Sequence, residues 1–379
     1  MNTNPQTHDS RGGPLTFDVV TREEDFLRLA PEWQALWQRS GGAFSESFEL
    51  CRQAFMHVAK PGGRALSIVV GRLGGELVLV WPLVYLTRFS LRVLRPLGPA
   101  MADPTPLLLD RTCVDANALE AAWRALVGAV RPDLAYLTYL QEGCELQAFA
   151  SSLPRARAVD RDVLFVVDVR GQHADWGAFC QARSIAGSRR KPGQLRRRLE
   201  RRGKVLVRTV DARLEPQRID ALVEFILMHK RDWGERRGKR GAWLYSSDFR
   251  AMLSALIKHP EGRACILVLE LDGQVIAAAV LGCGTTSVAA LISAFDPHAE
   301  NFSPGHILAE AYVRFAFERG CDLDFGVGSE DLKRFWSLHE PKALTSYAVP
   351  VTLLGRFALA ARDAAALARV RMRGAASAR

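Results

Sequence analysis

An α/β protein built from two units of similar topology, each a mixed sheet flanked by helices, is what this sequence predicts. Three observations lead there: an order of apolar elements that recurs 190 to 200 residues along, a length beyond one ordinary core, and an unexceptional globular composition. Of the 379 residues, 48% are hydrophobic and 24% charged, which excludes a disordered chain or a small disulfide scaffold.

The recurrence begins with two hairpins, IVVGRLGGELVLVWPL at Ile68 to Leu83 and ILVLELDGQVIAAAVL at Ile266 to Leu281. Each sets β-branched and aliphatic residues on both sides of a Gly-Gly or Asp-Gly turn, a strong hairpin signature. Each is followed by a helix and then a short apolar strand: LEAAWRALVGAV and LAYLTYL within Leu119 to Leu140, HILAEAYVRFAFERG and CDLDFGV from His306 to Val327. Between the copies a helix is expected from Gln194 to Arg202, a strand from Val205 to Val210, and helices from Pro216 to Trp233 and Ser247 to His259. An alanine- and arginine-rich helix, Gly355 to Arg373, closes the pattern. The expected divisions are 15–180, a basic linker at 181–204, a second unit at 205–355 and a C-terminal helix at 356–379.

Val275 to Phe295 carries no charge and is about long enough to cross a bilayer, but its centre, Gly282-Cys283-Gly284-Thr285-Thr286-Ser287, reads as a turn between buried strands. No transmembrane segment is expected. The polar opening MNTNPQTHDSRGG lacks a secretory signal's apolar run, so a cytoplasmic location is expected. Seven scattered cysteines without a CxxC pair argue against disulfides and a zinc site and read as reduced core residues. The net charge of +10 is concentrated: Ser188 to Lys204 holds nine basic residues against one glutamate. A second cluster joins Lys230, Arg231, Arg236, Arg237, Lys239 and Arg240. Such clusters face an anionic partner, here at Arg189–Lys204, or are simply solvated.

No GxSxG, GxxxxGK[ST], HExxH or strand-borne GxGxxG is present, so the familiar hydrolase, P-loop and zincin signatures are missing. The informative stretch is Ser293 to Trp336, where Ser303-Pro304-Gly305 opens a helix. A helix start leaves several N–H groups pointing outward with the positive dipole end behind them, which suits phosphate. Pro304 fits the first turn and Gly305 permits close approach. An ordinary capped helix accounts for these residues equally well.

The order of hairpin, strand, SPG-started helix, a strand ending Asp324-Phe325-Gly326-x-Gly328, then Leu332-Lys333-Arg334-x-Trp336 resembles the GNAT (N-acetyltransferase) superfamily. More closely, it is similar to the CelD/BcsL-like proteins associated with bacterial cellulose and exopolysaccharide synthesis, relatives of the FemAB/FemX aminoacyltransferases. The resemblance runs from near Phe17 through both halves and implies two tandem GNAT-like mixed-sheet domains with flanking helices. It implies acyl transfer from acetyl-CoA, or another acyl-CoA, to an amine or hydroxyl of a small-molecule, saccharide or peptide acceptor.

On that basis Ser303, Gly305, His306, Ile307 and Lys333 are the expected donor-binding residues, Lys333 neutralising a phosphate or oxyanion or being merely solvated. Of the superfamily's [R/Q]xxGx[G/A] pattern, laid on Glu300, Ser303 and Gly305, only Gly305 remains, and Leu332 stands where relatives often have tyrosine. A carboxylate or histidine must remove the acceptor's proton. Asp324 is the first candidate, with Asp296 and His306 behind it; each has a structural alternative as a cap or hydrogen-bonding partner. The first half, whose equivalent loop Pro99 to Pro106 has no glycine-led helix start, is expected to be non-catalytic, either structural or part of the acceptor site. Aminoacyl-tRNA as donor, or a non-catalytic polyanion-binding role, are the alternatives that the basic segment keeps open.

Overall fold

A computed structural model gives the protein's fold. It describes residues 13–99, 104–115, 117–170, 173–185, 193–238, 241–328, 331–337 and 340–377. Arg189, Arg190 and Lys191 of the basic segment, Lys239 and Arg240 of the second cluster, and Met101 to Asp103 lie outside those residues.

In the first half the elements are β1 (Leu15–Val20), α1 (Glu23–Arg28), α2 (Ala30–Arg39), α3 (Phe48–Ala54), β2 (Ala65–Leu66), β3 (Ile68–Leu73), β4 (Glu76–Trp81), β5 (Leu83–Arg88), β6 (Leu91–Pro96), β7 (Leu108–Leu109), α4 (Asn117–Val130), β8 (Leu134–Gln141) and α5 (Glu145–Ser152). β9 (Arg157–Val167) and α6 (Trp176–Ile185) end the first half, and the chain continues with α7 (Gln194–Glu200), β10 (Val205–Val210), α8 (Ile219–Arg236), α9 (Ser247–Ile257), β11 (Ala264–Leu271), β12 (Gln274–Cys283), β13 (Ser287–Phe295), α10 (Pro304–Glu318), β14 (Asp322–Val327), α11 (Asp331–Trp336), β15 (Lys342–Pro350) and α12 (Leu353–Ser377). Both expected hairpins form, and their turn residues, Gly74-Gly75 and Asp272-Gly273, all have positive φ as the two-residue hairpin turn requires. The uncharged stretch from Val275 is β12 and β13, joined by the turn at Gly284 to Thr286; among the described residues no helix is long and apolar enough to cross a membrane.

Four strands make a small sheet in the order β1-β3-β4-β7, and eleven make a large one, β10-β11-β12-β13-β14-β9-β15-β8-β6-β5-β2. The centre of the large sheet joins the halves. β9 follows α5 yet pairs with β14, and β15 follows α11 yet pairs with β8. Each half therefore closes its neighbour's sheet, and the two crossing strands pair with one another. Such a link carries backbone hydrogen bonds from one half into the other, so the halves share one sheet rather than meeting through a linker.

β12 is buried on both faces because helices cover both. Its Ala277-Ala278-Ala279 run is small enough for α10 to approach from one side and α8 from the other. The α8–α9 core also takes Phe44 and Leu50 from the first half. Phe44 lies over Gly282, where an added Cβ would fall 2.2 Å from its ring, and Thr285 donates its N–H to the Gly42 carbonyl. A glycine that looks like part of a turn is in fact the seat of an aromatic ring from 238 residues away.

Candidate functional site

β13 and β14 run parallel but pair at only three positions, Ser287 with Asp322, Val288 with Leu323 and Ala289 with Asp324. Beyond Ala289 the two strands part. β13 continues six residues to Phe295, pairing only with β12, while β14 turns to β9 across an irregularity between Asp324 and Val327. The divergence leaves a V-shaped gap in the middle of the sheet. On the β13 edge, from Ala290 to Phe295, the ladder groups that face the gap pair with no neighbouring strand and suit an extended ligand, whereas on the β14 edge Asp324 holds the Gly326 N–H and Lys333 the Gly326 and Val327 carbonyls.

α10 starts where β13 ends, at the open side of this gap. Asp296 caps the turn Pro297–Phe302 by accepting the His298 N–H, and Ser303 takes a left-handed conformation (φ 55°) that swings the chain into the helix. In the first turn of α10, His306 and Ile307 both donate their N–H groups to the Ser303 carbonyl, and Pro304 has none to offer. Gly305 alone of these keeps an N–H without an acceptor among the described residues. α7 packs against this region through Leu199, and the Gly193 N–H binds the Glu310 carboxylate at 2.7 Å. Arg196 and Arg197 lie close enough to Glu310 to oppose the rise that burial imposes on its carboxyl. Arg236, from the end of α8, reaches Glu300 at 3.6 Å. Both basic clusters thus converge on the start of α10.

On the gap's inner wall lies a cavity of about 520 Å³ between the two halves. The second half lines it with Ala289, Ala290, Ile292, Asp324, Gly326 and Val327 from the gap and with α9 side chains such as Phe249 and Met252. From the first half come Glu46, the segment Pro104 to Leu107, Arg111, Tyr139 and Glu145. Most of the wall is apolar, with a few charged groups set in it, which is the make-up of a small-molecule site.

Three carboxyls border this space, Glu46, Asp324 and Glu145, and burial raises the first two. Burial pushes Glu46 up to about 7, against the Ala43 and Leu107 amides that bind it and the positive charge of Arg111. Burial likewise raises Asp324, whose Oδ1 accepts the Gly326 N–H at 2.6 Å, with Lys333 and Lys342 opposing the rise. Neither side chain is packed solid, because each touches open cavity enclosed by protein. A cavity of this kind denies a carboxylate bulk water without removing its room to bind. Arg111 is held by Glu145 in a two-pronged pair, 2.6 and 3.2 Å.

The structure distributes the expected residues over two places. Asp324 faces the cavity. Ser303, Gly305, His306 and Ile307 are at the start of α10, and Asp296 is just before them. Seven residues of nearly extended chain separate Ala289, the partner of Asp324, from Asp296, about 20 Å. Asp324 and Asp296 therefore do not share one proton-transfer site. Asp296 also accepts from the His298 ring and amide; burial works to raise it, but these bonds and His229 behind them bring it below the usual carboxylate range. Lys333 donates to the Gly326 and Val327 carbonyls, 3.2 and 2.7 Å, and so braces the end of β14. Glu46 escaped the sequence reading. It lies near a chain turn, in a stretch with no chemical signature, and only the inter-half packing brings it to the cavity.

The fold and this site define a class, an acyltransferase-type α/β protein with a splayed parallel strand pair and a helix start behind it. Residues 186–334 match the family model for the acetyltransferase (GNAT) domain, so the chain carries a GNAT-type domain. Among solved structures it is similar to the C-terminal domain of a putative lysylphosphatidylglycerol synthetase from Agrobacterium fabrum, at TM-score 0.55 and 15% identity over 90% of this chain and 96% of that one. It is similar to FemX at TM-score 0.58 and 12% identity, over 85% and 96%. A tandem GNAT protein from the clavulanic acid biosynthesis pathway gives 0.50 and 12%, over 89% and 98%. No curated protein matches the sequence. At these identities the structural likenesses speak to the fold, two tandem GNAT-like units.

Proposed function

We propose that this protein moves an acyl group from a thioester donor lying in the gap between β13 and β14 to an amine or hydroxyl of an acceptor in the cavity between the halves. The observation that carries this reading is the three-residue pairing of β13 with β14, beyond which the unpaired β13 edge opens onto that cavity. An acyl-CoA donor fits it best. Its diphosphate would meet the Gly305 N–H and the positive end of α10, with the arginines of α7 nearby, and its pantetheine arm would run as an extra strand along the gap.

In the reaction the acceptor's nitrogen or oxygen attacks the thioester carbon, the C–S bond breaks, and the coenzyme leaves as thiolate. The acceptor's proton goes to a carboxylate on the cavity wall. Asp324 lies where the strands part; Glu46 reaches in from the first half, and its pKa near 7 matches a base working at neutral pH. In this reading residues 205–355 hold the donor while the first half completes the acceptor site through Glu46, Arg111 and the segment Pro104 to Leu107. Positioning two reactants on opposite sides of the gap contributes the greater share of the rate. Acetyl-CoA is the donor, and a saccharide or cell-envelope intermediate the acceptor, that the resemblance to CelD/BcsL-like proteins favours.

A second reading, transfer from aminoacyl-tRNA, is favoured by the basic α7 beside the helix start and by the likeness to FemX. A coenzyme-release assay over amines, amino sugars and amino-acyl acceptors, run beside a transfer assay with charged tRNA, separates them. Folded protein that neither releases coenzyme nor is stabilised by acetyl-CoA would sink the first reading.

A further inference from the structure

Over its described side chains, 353–365, the helix α12 packs on the sheet through one face. Leu359 is buried against Leu134 and Ala348, Gly355 sits on the Asp133 carbonyl, and Asp363 pairs with Arg157 at 3.3 Å. The opposite face carries Leu353, Leu354, Phe357, Ala360, Ala361, Ala364 and Ala365, all exposed and spaced as one helical stripe. Leu353 is 64% exposed and Phe357 73%, large apolar side chains that the described residues leave uncovered. This is an amphipathic helix turned the wrong way round for a protein that meets only water.

A second apolar side chain stands out at the same end of the sheet. The hairpin joining β5 to β6 turns at Phe89-Ser90, with φ of 50° and 63°. Two-residue hairpin turns with positive φ favour Asn-Gly or Asp-Gly; a phenylalanine there is strained. Phe89 is 90% exposed, its ring covered only by the exposed Arg88 guanidinium 5.4 Å from its centroid among the described residues, so no burial offsets that strain. The hairpin and the helix share an anchor. Asp133 binds the Arg92 N–H, while its carbonyl accepts from Val351 and Thr352 at the start of α12. Phe89 is three residues from Arg92, about 10 Å of extended chain.

Charge identifies the occupant. Residues 353–379 hold six arginines against Asp363 alone, and Arg88 and Arg131 are exposed beside the hairpin and α12. A second copy of the chain packed along the stripe would bring two segments of like charge together, six arginines against one aspartate in each, and Asp363 is already held by Arg157 and Arg362. An anionic lipid surface satisfies both features, since acyl chains take the leucines and phenylalanines while the anionic headgroups attract the segment's net positive charge and the exposed Arg88 and Arg131. We propose that α12 and the Phe89 hairpin tip dock this protein on the surface of an anionic membrane, lying in the interface without crossing it.

The full-length protein is to be sedimented with phosphatidylcholine vesicles and with vesicles of phosphatidylcholine and phosphatidylglycerol. The expected result is binding to the second kind only, falling steeply with salt. The variants Phe357→Glu and Phe89→Ser should each lower the partition coefficient about tenfold or more, with unchanged melting temperature, because neither side chain is packed. No binding to the anionic vesicles, or variants that bind as well as the parent, would overturn the proposal. So would light scattering that finds a dimer which Phe357→Glu dissolves, since the stripe would then belong to self-association. Acetyl-CoA stabilisation, measured separately on the same variants, is expected to be unaffected and reports on the donor site independently.

Discussion

Replacing Gly305 with alanine separates stability from donor binding, because the structure gives the two effects opposite signs. Gly305 is the second residue of α10 and has no positive φ, so alanine fits its backbone. An added Cβ would lie 3.4 Å from the Phe295 ring, an ordinary contact. Alanine in place of a helical glycine is worth up to about 1 kcal/mol, less near a helix start, or about 1–3 °C in melting temperature. The same methyl group stands over the Gly305 N–H, which has no acceptor among the described residues, where a diphosphate must come close. A tenfold weaker donor costs about 1.4 kcal/mol of ligand-induced stabilisation, against about 2.7 kcal/mol for the parent at a hundred times its Kd. Differential scanning fluorimetry with and without acetyl-CoA reads both numbers in one experiment. The apo variant should melt at or above the parent, and its acetyl-CoA shift should fall by about half. An undiminished shift would refute the assignment of the donor's diphosphate to this turn, and a lower apo melting point would refute the packing argument.

Three further outcomes follow from particular side chains. Glu46 is raised to about 7 in the folded protein, so the folded state holds its proton more tightly than the unfolded chain. Its favourable contribution is present below the ordinary glutamate range and disappears as pH rises through 7, so Glu46→Gln should gain melting temperature over the parent between pH 5 and 7 and level off above. A difference that is flat with pH would remove the argument. Glu270, 2% exposed, accepts from Arg208 at 2.7 Å and Arg218 at 2.8 Å; Glu270→Ala should cost about 3 kcal/mol in urea unfolding, the low end for a broken buried pair because both arginines keep contact with water. Trp336, 1% exposed, stacks on Phe179 at 6.4 Å and 4°, and Trp336→Ala should lose about 3–5 kcal/mol by the same measurement.

Much of the fold was legible because local patterns are short-range physics. Paired Gly-Gly and Asp-Gly turns force hairpins wherever they stand between β-branched runs, and β3–β4 and β11–β12 form as expected. Val205 to Val210 is a strand with the expected ends, and Ser247 starts α9 behind a capping serine. Helix ends were less legible: the element expected from Pro216 begins as a single tight turn and becomes α8 only at Ile219, running on to Arg236. The charge clusters were visible as numbers, but not their convergence on α10, which needs α7 and the end of α8 folded beside it.

Composition and periodicity determined what each segment of this chain becomes, because helix, strand and turn preferences act within a few residues. Tertiary structure alone decided that β9 and β15 change places between the halves, since pairing partners are chosen by which edges the completed sheet leaves open. It also decided where β13 and β14 part, and that a glutamate from residue 46 and an aspartate from residue 324 border one cavity. Burial of a carboxyl is a property of everything packed around it, and no window of sequence contains those neighbours.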